Sequence, residues 1–88
     1  MFTITTEAHG ARSLGNERYE VLISGGAAVA LFEKDTRRLL ITTDEVYLTP
    51  AARRHVESFV ARVQPAEVEA VEQERISQGY RALRLVWP

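Results

Sequence analysis

Apolar positions recur along this chain with two different periods, and each change of period marks an element. In residues 1–6, Phe2 and Ile4 alternate with threonines, which predicts a short half-buried strand. Tyr19, Val21 and Ile23 alternate with Glu20, Leu22 and Ser24 in a second strand. Gly25-Gly26 then supplies the positive φ angles that a two-residue hairpin turn requires. The return strand, residues 27–33, is apolar on both sides: Val29 and Leu31 fall on one face, Ala28, Ala30 and Phe32 on the other. Such a strand is expected at the centre of a sheet, covered from above and below. After a turn at Lys34-Asp35-Thr36-Arg37, the β-branched run 38–43 predicts a further hairpin strand. Residues 7–17 contain two glycines, Asn and Ser with no sustained period, and are expected to form a loop.

At Thr49 the period changes from two to about 3.6 residues. Ala52, Val56, Phe59, Val60 and Val63 stack on one stripe, so a helix is predicted from Pro50 to about Val63. Thr49 is placed to accept a hydrogen bond from a free N–H of the first turn. Pro50 suits the first helical position, where its missing N–H removes no hydrogen bond. Val46-Tyr47-Leu48 before it is extended, either as the end of one bent strand or as one arm of a tight hairpin. Pro65 either separates two helices that meet at a sharp corner or kinks one bent rod. Residues 66–78, rich in helix formers, predict a second helix with Val68, Val71 and Ile76 on a thinner apolar stripe and Gly79 as its left-handed cap. In residues 80–87, Leu83, Leu85 and Trp87 alternate again, which predicts a closing strand. The expected fold is α+β: an antiparallel sheet of four to six strands with two helices packed on one face, in the order β-β-β-β-α-α-β.

Length and charge narrow the classes without choosing among them. Eighty-eight residues are expected to form one domain spanning 1–88. Without cysteine there is no disulfide framework, thiol nucleophile or cysteine zinc site. The first six residues have neither a basic leader nor an apolar run, and no apolar run approaches the roughly 20 residues that span a bilayer. A cytoplasmic protein without membrane partners is expected. The net charge of −1 argues against a general affinity for polyanions. The charge is segregated, however: Arg53, Arg54 and Arg62 face only Glu57 in residues 50–64, whereas Glu67, Glu69, Glu72 and Glu74 come next with only Arg75.

Candidate chemistry is sparse. No dinucleotide fingerprint, phosphate loop, nucleophile elbow or zinc-protease motif is present. Ser24-Gly25-Gly26 resembles part of a phosphate cradle, but an apolar strand follows the glycines where a helix N-terminus would be needed. His9 stands in a polar loop. His55 borders the apolar stripe of the first helix, within reach of Tyr47 or of Ser58 at i+3. Neither histidine has the partners that acid–base catalysis or metal binding needs, and no enzymatic activity, cofactor or metal is expected. The four glutamates spread around the predicted second helix, as on a solvated face.

Ile41-Thr42-Thr43 through Phe59, with its extended piece, threonine-led helix and Arg53-Arg54-His55, is similar to small phage or mobile-element proteins of unassigned function. That resemblance implies a host-directed inhibitor or adaptor that binds one large partner and catalyses nothing. Together these readings predict a non-catalytic module that binds another protein. The expected contacts are Arg53, Arg54, Glu57 and Arg62 on the first helix, Glu69 and Glu72 on the second, and His9 and Arg12 in the 7–17 loop. A homodimer through an exposed sheet edge is a further option. The alternative is a small nucleic-acid-binding regulator that sets Arg53, Arg54 and Arg62 against phosphates. A third reading is an enzyme whose site, built around His9 or His55, is shared across a homodimer.

Overall fold

The computed structural model describes residues 3–6 and 11–85; the expectations placed on residues 1–2, 7–10 and 86–88 lie outside them. The element order is β1 (Thr3–Thr6), β2 (Arg12–Gly15), β3 (Tyr19–Ser24), β4 (Ala27–Glu33), β5 (Arg38–Thr42), α1 (Pro50–Val63), β6 (Glu67–Val71) and α2 (Gln73–Leu85). All six strands form one sheet in chain order. The first five make an antiparallel meander, and β6 adds parallel to β5 after α1 has crossed over. The class is therefore α+β with a mostly antiparallel sheet.

The second half of the chain departs from the expected order. Residues 66–78 are not one helix: 67–71 form strand β6, and α2 begins only at Gln73. Glu67-Val68-Glu69-Ala70-Val71 is built of good helix formers, but it also alternates, and pairing with β5 decides for the strand. The closing strand expected over 80–87 is helical through Leu85. Ile76, Tyr80 and Leu83 fall at i, i+4 and i+7, and that stripe prevails over the shorter alternation of Leu83 and Leu85. Residues 12–15, expected in a loop, form β2, whose single buried apolar side chain, Leu14, gives almost no sequence signal. Val46-Tyr47-Leu48 is neither strand nor hairpin. It belongs to a turn in which Tyr47 N–H donates to Asp44 C=O at 3.1 Å and Leu48 N–H to Glu45 C=O at 3.2 Å.

The helices cover opposite faces of the sheet, not one. Val56, Phe59 and Val63 of α1 pack with Leu22, Val29, Ala30, Phe32 and Leu39. Ile76 and Leu83 of α2 pack on the other side with Leu14, Val21, Ile23, Ala28, Leu31, Leu40 and Val71. A β-bulge explains how β4 serves both layers. Leu22 pairs with Ala30 but Ile23 pairs with Ala28, so Val29 is the extra residue. Val29 and Ala30 consequently point to the same side, towards α1, while Ala28 and Leu31 point towards α2. The alternation expected for β4 is corrected accordingly. Gln73, the first residue of α2, donates from Nε2 to Ala28 C=O at 2.8 Å, tying the helix start to the bulge.

The turn chemistry follows the sequence closely. Gly25 and Gly26 have φ of 60° and 80° at the expected hairpin. Thr49 Oγ1 accepts from Ala52 N–H at 3.1 Å with Pro50 in the first turn. Gln64 closes α1 in the left-handed region, φ 48° and ψ 66°, with its N–H bonded to Val60 C=O at 2.9 Å. Pro65 then separates α1 from β6. Arg37 adds a second clamp: its guanidinium donates to the carbonyls of Val63 and Gln64. A left-handed conformation costs a residue with a Cβ about 1 kcal/mol. Gln64→Gly is therefore expected to raise stability by about 0.5–1 kcal/mol, read as a higher urea midpoint at unchanged slope. Gly79 does not cap anything. It lies inside α2, where an added Cβ would stand 2.5 Å from Leu31 Cδ2.

Candidate functional site

Three groups of side chains fall where function would have to be sought. The first is a buried polar contact on the α1 side of the sheet. Ser24 shares a face with Leu22, and across the layer its Oγ lies 2.7 Å from His55 Nδ1. The two residues stand 31 positions apart, so this contact involves neither Tyr47 nor Ser58, the partners that local spacing suggests. Both residues are buried, each 7% exposed. The pair pins α1 to the end of the β3–β4 hairpin. Ser24→Ala leaves the imidazole nitrogen buried without its hydroxyl and is expected to cost about 1–2 kcal/mol. Ser24→Ala with His55→Leu should cost less than the two single changes added together, because both polar members of the contact are then gone. Urea denaturation of the three variants checks this.

The second group joins α1 to β2 and β3. Arg62 donates to Glu20 Oε2 and, at 3.2 Å, to Ser13 Oγ, while Ser13 donates to the same carboxylate oxygen at 2.8 Å. The guanidinium also lies 5.2 Å from the centre of the Phe59 ring. Arg62 is thus drawn into the protein's own packing, and the stripe expected for phosphate contact loses one of its three members to a carboxylate. Arg53, Arg54 and Glu57 remain on the exposed side of α1, with Arg53 Nε donating to Leu48 C=O at 3.1 Å. Arg12 is exposed on β2. His9 lies outside the described residues.

The third group is the outer edge of β6, where Glu69 and Glu72 are found, on a strand and just after it instead of on a helix. Among the described residues β6 has one neighbour, β5, and no strand on its other side. Thr43 N–H bonds to Val71 C=O at 2.9 Å, and Glu67 N–H points to Arg37 C=O. In a parallel ladder this makes Glu67, Glu69 and Val71 the residues bonded towards β5. The N–H and C=O groups of Val68 and Ala70 therefore face outward. Side chains alternate as well. Val68 and Ala70 pair with Leu39 and Ile41 and lie on the α1 side; Val68 is 55% exposed because α1 does not reach this far. Glu67 and Glu69 lie on the α2 side, where Glu69 forms an ion pair with Arg38. The glutamates are legible in the sequence but the open ladder beside them is not, since a helix-forming composition hides the alternation.

At the end of this edge lies a crevice of about 390 Å³ lined by Thr43, Ala70, Val71, Glu72 and Arg75. Its origin is topological. β5 and β6 run parallel, but the chain leaves β5 for the α1 face and β6 for the α2 face, so the two connections part at the strand ends. Among the described residues no group of three His, Asp or Glu could hold a metal ion, and no helix is long and apolar enough to cross a membrane. No family model, no curated protein and no solved structure matches this chain.

Proposed function

We propose that this chain is a cytoplasmic module that binds another protein, as an inhibitor or adaptor of a larger complex, and that it does so through the open edge of β6. The supporting observation is that strand itself. Among the described residues it is an uncovered sheet edge, with outward-facing backbone groups at Val68 and Ala70 and an apolar side chain left in water. An extended segment of a partner can complete such a ladder, with the main-chain bonds supplying affinity. Most edge strands are short, bulged, charged or covered, which prevents unwanted pairing. β6 carries charge on one face only, so it restricts pairing without blocking it.

The experiment is a capture assay from the native host with three forms of the protein. Ala70→Pro removes an outward N–H without touching the β5 ladder, and an unchanged melting temperature confirms that it folds. The partner should be retained by the parent and by Arg53→Glu/Arg54→Glu, and lost by Ala70→Pro. Retention by Ala70→Pro together with loss by the double arginine variant would move the binding surface to α1.

A further inference from the structure

We infer that the segment accepted by β6 is an extended strand in which apolar and basic residues alternate. This inference rests on the proposed use of the β6 edge and adds the chemistry of the occupant. When a strand is added to a sheet, its side chains stand beside those of the old edge on the same face. On the α1 side the neighbours are Val68 and Ala70, with Leu39 and Ile41 behind them. Those positions call for apolar side chains, which would remove the 55% exposed Val68 from water. On the α2 side the neighbours are Glu67 and Glu69, with exposed Glu72 just beyond the strand. Arg38 engages Glu69, so the surplus charge along this face is negative. Lysine or arginine at the alternate positions would meet it.

The same charges disfavour a second copy of the chain as occupant. A two-fold axis centred on Glu69 sets that residue against its own copy, and one centred on Val68 sets Glu67 against Glu69. Like charges directly opposite each other destabilise a strand pair.

Short synthetic peptides test the inference directly against the full-length protein. One alternates valine with lysine, one alternates valine with glutamate, and a third is the lysine peptide N-methylated along its pairing edge. Binding is followed by calorimetry or fluorescence anisotropy at two salt concentrations. The lysine peptide should bind roughly tenfold or more tightly than the glutamate peptide, more weakly in high salt, and not at all when N-methylated. Glu67→Lys/Glu69→Lys should reverse the preference. Equal binding of the lysine and glutamate peptides, lost on N-methylation, would overturn the charge reading and leave the edge reading standing. Binding of neither peptide would overturn both. A dimer of the unmodified protein that Ala70→Pro dissolves would make the second copy the occupant and overturn the alternating apolar-basic partner.

Discussion

Phe59→Ala is expected to lower the free energy of unfolding by about 3–5 kcal/mol, the largest loss from any single truncation on the α1 face. Phe59 is fully buried, and it anchors the layer formed with Leu22, Val29, Phe32 and Leu39. Truncation removes the apolar area and leaves a void that stiff strands close only in part. It also removes the ring beneath the Arg62 guanidinium, and with it one support of the Arg62–Glu20–Ser13 network. A small domain has about 5–15 kcal/mol of net stability, so this one change consumes a large share. Strands β3, β4 and β5 carry core residues on both faces, and the loss should appear as one earlier cooperative transition, not as melting of α1 alone. Val60→Ala, at the rim of the same cluster, is the control and should cost well under half as much. A Phe59→Ala loss below about 1 kcal/mol would show that the α1 layer is not packed as described.

Gly79→Ala should destabilise the protein even though it improves helix propensity. In an exposed helix interior the change from Gly to Ala stabilises by about 1 kcal/mol. Here the new methyl would lie 2.5 Å from Leu31 Cδ2, and Leu31 is itself buried in the α2 layer. The leucine must leave its rotamer or the helix must lift, and overpacking of this kind costs about 1–3 kcal/mol. Gly79→Val adds two further branches at the same contact and should reach or exceed the top of that range. The specific check is a double-mutant cycle with Leu31→Val, which deletes the δ carbons. Leu31→Val should be markedly less harmful in the Gly79→Ala background than alone, with a coupling of about 1 kcal/mol or more. If Gly79→Ala raises the urea midpoint, the close approach of α2 to β4 is refuted.

These two positions also show what the sequence can and cannot reveal. The α1 element is legible from Thr49 to Val63, because a capping hydroxyl, a proline and a full apolar stripe all point to the same answer. The Gly25-Gly26 hairpin is legible for a similar reason, since one local geometry explains both glycines. Gly79 carries an ambiguous signal. A glycine after a stretch of helix formers reads as a cap, and only the proximity of Leu31, almost fifty positions earlier, makes it an interior contact. The bulge at Val29 is equally hidden, because shifting the register by one changes which alanine faces which helix without altering the apolar run. β6 is missed for the opposite reason: local propensity is clear and tertiary pairing overrides it. The same misreading hides the candidate edge, whose glutamates are visible in sequence while the unpaired backbone beside them is a property of strand order. The Ser24–His55 contact lies between these cases. Ser24 shares parity with Leu22 and His55 lies on the stripe of α1, so each is assignable to the α1 layer, but not to the other.

The division of the core between two helices also orders events during synthesis. One side of the sheet can be roofed once Val63 has left the ribosome, since every member of that layer precedes it. The opposite side must wait for Val71, Ile76 and Leu83. Until then Leu14, Val21, Ile23, Leu31 and Leu40 have no cover, and β5 is itself the open rim of the meander. A nascent chain arrested between Val63 and Val71 would thus display one finished face and one sticky one. That makes it the species on which a holding chaperone, or premature aggregation, would act.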